Sequence, residues 1–193
     1  MPDMNSAPLD PFAEGLCYEA SLPFTWRALD AVPDAAHLAY WNEYNEVALR
    51  GMAALDEFSN QLPDEYGTQG HELSRLEFKV NLVLDLVGQL LAQQLILPET
   101  VWMKIGARGV NWSALEAPAL ATPLLLQIYL TPNYPRPLEL PATVITRDEL
   151  AVGARCTAAF AGCSESVQDW LEKLIFRHHR RSIAHTRVPR AGD

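Results

Sequence analysis

The densest chemical signal in the chain is a run of cations near its C-terminus, Arg177-His178-His179-Arg180-Arg181, followed by Arg187 and Arg190; from Arg177 onward Asp193 is the only acid. Guanidinium groups four residues apart lie on one helix face, so Arg177 and Arg181 offer two forks to a single phosphate or carboxylate. The same charges would serve as counterions to the negative end of their own helix, or as contacts for an acidic protein partner. Residue type alone leaves these three roles open. Adjacent His178 and His179 point about 100° apart on a helix and cannot ligate one metal ion.

A second polar pair, Asn111 and Ser113, brackets Trp112. Asn and Ser bond readily to nearby backbone, so Val110–Glu116 is expected to be a turn, with Trp112 exposed enough to touch a partner. Cys17, Cys156 and Cys163 form no C-x-x-C pair and no Cys/His cluster at metal spacing. They read as free thiols in a reducing cytoplasm, with Cys156 and Cys163 packed as small apolar groups. Glu43, Glu46, Asp56 and Glu57 read as a solvated helix face. No Gly-rich phosphate loop, matched acid and base, or activated nucleophile occurs, so the expectation is a protein that is not an enzyme and holds no metal or cofactor.

Positioning these groups falls to two kinds of element. From Leu73 the residues Leu76, Val80, Val83, Val87, Leu90 and Leu97 keep a heptad seam, and Leu82, Leu84, Leu86 and Leu91 widen it into apolar surface round most of the helix. About 27 residues at roughly 1.5 Å each make a rod of about 40 Å. One partner helix cannot cover it, so either its own domain wraps it or other copies do, and its length predicts that part of it projects and pairs with another chain. Asp85, Gln89 and Gln93 interrupt the run and exclude a membrane span. Upstream, Asp34 caps a second long helix reaching Leu62, in which Asn45 is either a register-setting polar residue or an ordinary solvent-facing one. Residues 63–70 turn the chain back to form an antiparallel pair.

Strands are expected at Leu16–Leu29, interrupted by Pro23, and at Thr100–Ala107, Leu124–Thr131, Leu138–Thr146 and Ala154–Phe160, with turn signals between them and no helices. That pattern suggests an antiparallel barrel or sandwich in an α+β fold, with the helix pair inserted after its first strand. A last helix opens at Ser164 or Ser166, and its stripe Val167, Trp170, Leu171, Leu174, Ile175 and His178 would close an end of the barrel. The chain then divides into a flexible tail 1–15 without a secretory signal, a barrel with closing helix from 16–33 and 98–186, an oligomerising helical hairpin 34–97, and a tail 187–193. A net charge of −9 with 49% apolar residues excludes broad binding to nucleic acid or anionic membrane.

This order of elements resembles the atypical, tetramer-forming branch of the PilZ domain family, known as bacterial receptors for cyclic di-GMP. Val110-Asn111-Trp112-Ser113-Ala114-Leu115-Glu116 resembles its (D/N)-x-S-x-x-G turn, Ala154–Phe160 its late strand ending in Phe, and Leu171–Arg181 its closing helix. The resemblance implies a six-stranded antiparallel β-barrel with a long antiparallel helix pair after the first strand and a closing C-terminal helix. It also implies a homo-oligomer, preferably a tetramer, acting without catalysis by protein–protein interaction in bacterial signalling over motility or virulence. Two departures stand out. The family's R-x-x-x-R pair before the first barrel strand is missing, since Arg27 is the only Arg in the first 49 residues, and Glu116 stands where the turn carries Gly. High-affinity cyclic di-GMP binding at the usual site is therefore not expected. A receptor using Asn111 and Ser113 with the displaced Arg177 and Arg181 is the alternative, and a purely helical scaffold a further one.

Overall fold

Alternation along each strand builds the core. The computed structural model describes residues 10–13 and 15–59, positions 75, 76, 78–80, 82–84, 86–88 and 90, residues 96–131, 134 and 136–186. Six antiparallel strands, β1 (Tyr18–Ala28), β2 (Thr100–Ile105), β3 (Gly109–Ala114), β4 (Pro123–Ile128), β5 (Leu138–Glu149) and β6 (Ala154–Phe160), close a barrel in the order β1-β2-β3-β6-β5-β4. Every second side chain points inward and is buried: Leu22 and Phe24, Met103 and Ile105, Val110 and Trp112, Leu124, Leu126 and Ile128, Leu138 and Leu140, Cys156 and Ala158. Pro23, which has no N–H to donate, sits where β1 changes partner: residues up to Pro23 pair with β2 and residues from Phe24 pair with β4.

Two features differ from the sequence expectation. Val110–Glu116 is not a turn; its first five residues lie in β3, paired with β2 on one side and β6 on the other. The turn-forming Asn111 and Ser113 occupy the outward positions of a strand whose inward positions are Val110, Trp112 and Ala114. Trp112 is consequently buried, edge-on to Phe24 with ring centroids 5.3 Å apart, rather than available to a partner.

The second difference concerns α1 (Ala35–Ser59), which follows β1. Asp34 caps it as expected, its Oδ1 accepting from the His37 backbone N–H at 2.9 Å, and that bond holds the Asp34 carboxyl below the usual carboxylate range. Its apolar stripe, however, packs on its own barrel: Trp41, Ala48, Leu49, Met52 and Ala53 are buried, and Ala48, Leu49 and Met52 belong to the barrel core. Asn45 neither sets the register of an oligomer nor faces solvent. It is 1% exposed, and its amide grips the Glu139 peptide at both ends, Nδ2 donating to the carbonyl at 2.7 Å and Oδ1 accepting from the N–H at 2.8 Å. Glu139 lies in the part of β5 that precedes its pairing with β6, so Asn45 supplies the bonds a neighbouring strand would otherwise make.

One turn earlier, Asn42 does the same for the next helix. Its Nδ2 donates to the Gly162 carbonyl at 2.8 Å and its Oδ1 accepts from the Ser164 N–H at 2.9 Å. The described residues between 75 and 90, here α2, are helical throughout. The last helix, α3 (Glu165–Thr186), is capped by the Ser164 hydroxyl and buries Val167, Leu171, Leu174 and Ile175 against the same barrel end as α1. The connection at 63–70, residues 1–9 and 187–193, Leu73 of the seam and Leu91 of its flank lie outside the described residues.

Replacing Asn45 by Ala leaves a buried N–H and C=O of Glu139 without partners and is expected to lower unfolding free energy by about 2–4 kcal/mol. Urea denaturation checks this: the midpoint falls with an unchanged slope, whereas a loss below about 0.5 kcal/mol, typical of neutral surface changes, would mean that the clamp contributes nothing.

Candidate functional site

Two surfaces stand apart from the closed barrel. The first is its outer wall, where strand register aligns polar side chains from three neighbouring strands. Lys104 of β2 lies opposite Asn111 of β3, which lies opposite Thr157 of β6, and Ser113 lies opposite Arg155. Asn111 Nδ2 donates to Thr157 Oγ1 at 2.9 Å, which fixes the orientation of the amide and of its accepting carbonyl oxygen. Ser113 and Arg155 are exposed, and Trp102, on the preceding outward position of β2, is 61% exposed. Two cations therefore flank the Asn/Ser pair, with an aromatic face beside it. Such a wall can hold an anionic group by charge and hydrogen bonds, but it is open to solvent and contributes no acid–base pair.

Above this wall lies a strap from the segment that precedes β1. Asp10 folds it by accepting the Phe12 N–H on Oδ1 at 2.9 Å and the Ala13 N–H on its carbonyl at 3.1 Å. Pro11 is buried against Gly109, where an added Cβ would stand 2.8 Å from Pro11 Cβ and 2.5 Å from the Ala158 carbonyl, so only glycine admits the strap. Lys104 Nζ sits 4.8 Å from the centroid of the Phe12 ring.

The second surface is α2. Its nine described apolar side chains, Leu76, Phe78, Val80, Leu82, Val83, Leu84, Leu86, Val87 and Leu90, are each between 46% and 68% exposed, and Leu97 beyond them is 36% exposed. Both the seam and its flanks are uncovered. Full burial of such a side chain is worth about 1.5–3 kcal/mol, so on the order of 10 kcal/mol of burial is unrealised in one copy.

Of the anion-binding residues read from the sequence, Asn111 and Ser113 share the wall, but Arg177 does not join them. It packs toward α1, its guanidinium donating to the Ala53 carbonyl at 3.3 Å; the side chain of Arg181 lies outside the described residues. Lys104 and Arg155 were missed because their nearness to Asn111 is a matter of strand register; the period-two alternation of Val110, Trp112 and Ala114 was the signal that could have revealed it. His178 stacks on Tyr18 with centroids 4.5 Å apart, tying α3 to the start of β1. Among the described residues no group of three His, Cys, Asp or Glu could hold a metal ion, and no helix is long and apolar enough to cross a membrane.

A family profile described as "Atypical PilZ domain, cyclic di-GMP receptor" matches residues 49–188. A pathogenic protein from Xanthomonas campestris, described as a new tetrameric PilZ domain self-assembled via an unusual helical bundle, is 25% identical and superposes with a TM-score of 0.70 over 90% of this chain and 93% of that one. YcgR from Escherichia coli, solved in complex with c-di-GMP, is 15% identical, with a TM-score of 0.38 over 45% of this chain and 38% of that one, too distant to bear on the fold or the site. A search of curated proteins gave no match.

The cysteines offer no nucleophile at either surface. Cys156 is fully buried, and Cys163, although partly accessible, has its thiol pressed among protein atoms and is pushed up to about 11 by that burial. At pH 8 about one Cys163 in a thousand is then ionised. Alkylation of the native protein with iodoacetamide at pH 8, read by peptide mass spectrometry, should modify Cys17 and spare Cys156 and Cys163, with all three reacting in urea. Rapid native labelling of Cys163 would contradict its burial.

Proposed function

Because the chain belongs to the atypical PilZ domain family, we propose that it is a non-enzymatic regulatory adaptor that self-assembles through α2 into a tetramer and presents its barrels to a protein partner in bacterial signalling. The observation that carries this is the uncovered apolar girdle of α2: half-exposed leucines and valines on all sides of one helix are best covered by several sister helices. The likeness to a PilZ protein described as self-assembled via a helical bundle supports the same arrangement. Because α1 buries its stripe against its own barrel, the bundle is made by α2, with α1 holding the rod to the body.

High-affinity cyclic di-GMP binding is not part of this reading. The two arginines that would grip the dinucleotide ahead of β1 are missing, and that stretch instead lays Pro11 and Phe12 on the barrel. Glu116, exposed just past β3, adds negative charge beside Ser113. A second reading draws on the wall itself: Lys104 and Arg155 flank Asn111 and Ser113 and could hold the dinucleotide without the usual arginines.

Size-exclusion chromatography with light scattering should give a wild-type mass of about four times the 21.5 kDa of one chain. Val83→Glu or Val87→Glu buries unpaired charge in each helix of the bundle, costs several kcal/mol per copy and should shift the mass to smaller species. A wild-type monomer at micromolar concentration would end the self-assembly reading. Calorimetric titration with cyclic di-GMP is expected to show no saturation in the micromolar range; saturable binding lost in Arg155→Ala would establish the second reading instead.

A further inference from the structure

Beside the outer wall, the strap, the β2–β3 turn and the outer flank of α3 line a half-open cavity of about 360 Å³. Its walls are Pro11, Phe12 and Leu16 from the strap, Ala107 from the turn and Phe176 from the helix. This volume lies within the range of about 300–1,000 Å³ common to small-molecule sites, and a mostly apolar lining with a few convergent polar groups is their usual composition. Leu16 and Phe176 are 43% and 48% exposed here, so the space leaves apolar surface wet that a ligand would cover.

Each wall is anchored by its own bonds, so the cavity is formed in advance. Asp10 folds the strap, the Phe160 N–H holds the turn through the Arg108 carbonyl at 2.8 Å, and α3 is fixed by its buried Val167, Leu171 and Leu174. The charge around it runs against the chain as a whole. Lys173, whose Nζ lies 4.9 Å from the Trp170 centroid and would turn from that ring to reach a ligand, and Arg108 line the cavity, Arg180 lies 5.8 Å from the Phe176 centroid and Lys104 lies 4.8 Å from that of Phe12. Glu172 is the one acid among the described lining residues, and Glu19 lies across the strands from Lys104, outside the lining. In a protein of net charge −9, four cations gather round an aromatic floor.

We propose that this cavity binds a small amphipathic anion: a flat aromatic body seated between Phe12, Leu16 and Phe176, carrying one carboxylate or phosphate directed to Lys173 at the rim. The rings supply stacking and apolar burial, and the cation fixes polarity and orientation. The site is independent of self-assembly through α2.

Isothermal titration and saturation-transfer NMR on the full chain test this with three probes: 2-naphthoate, 1-naphthyl phosphate and the uncharged 2-naphthylmethanol. At least one anion should saturate with a submillimolar Kd, and the uncharged probe should bind about tenfold more weakly or worse. The carboxylate and phosphate arms show which head group the rim prefers. Lys173→Glu, on an exposed helical position, should weaken the anions about tenfold and leave the alcohol unchanged, whereas Phe176→Ala should weaken all three. Val83→Glu should leave all binding intact, which separates this cavity from the α2 girdle. Absence of saturation, equal affinity for the alcohol, indifference to Lys173→Glu, or loss in Val83→Glu would each overturn the proposal.

Discussion

Two asparagine amides on consecutive turns of α1 hold this molecule together. A side-chain amide carries one donor and one acceptor in nearly the geometry of a peptide, so Asn45 can complete β5 where no strand reaches it, and Asn42 can complete the turn that launches α3. Each pairs both of its polar ends, which a hydroxyl or a carboxylate could not do in the same way. Because both residues lie on the face that also buries Trp41, Leu49 and Met52, polar and apolar contacts demand the same helix position. A buried polar contact of this kind penalises every alternative seating, since any shift would strand four hydrogen-bonding groups at once. Tyr134, packed beside Gly51, and Arg136, with its guanidinium 3.9 Å from the Tyr44 centroid, bind the β4–β5 connection to the same helix.

This placement separates satisfied from unsatisfied surface. α1 and α3 pack on the barrel, and the closed strand order leaves no open edge for strand pairing. The helix that follows is the opposite: its apolar side chains remain in water on every described face. Nine half-exposed apolar side chains on one rod form a surface of the kind that marks an interaction site. The contrast between the two long helices is physical: both carry heptad-like apolar spacing, but only α1 finds a barrel mouth to cover.

The outer wall and the strap are joined by close packing. Asn111 and Ser113 face outward, and the segment ahead of β1 lies down on the barrel, with Gly109 admitting Pro11 at a distance that no side chain would allow. The cations that remain, Lys104 and Arg155, come from neighbouring strands. Lys104 and Arg155 give the wall a modest positive field.

Much of the architecture is written in local pattern. Apolar alternation gives five of the six strands, Asp34 and Ser164 mark the helix starts through their capping oxygens, and the 3,4 spacing from Leu73 to Leu97 marks a helix with too much apolar surface for one neighbour. These features depend on residues close in sequence, where backbone periodicity sets which side chains share a face. What only the tertiary structure decided are the contacts that join distant segments. Asn45 reaches Glu139, Arg177 reaches Ala53 and not Asn111, and Gly109-to-Ala114 becomes a strand because β2 and β6 flank it, although two of its residues favour turns locally. Hydrogen bonds across 94 and 124 residues of separation follow from strand order and barrel closure, and neither is encoded in the spacing of any single segment.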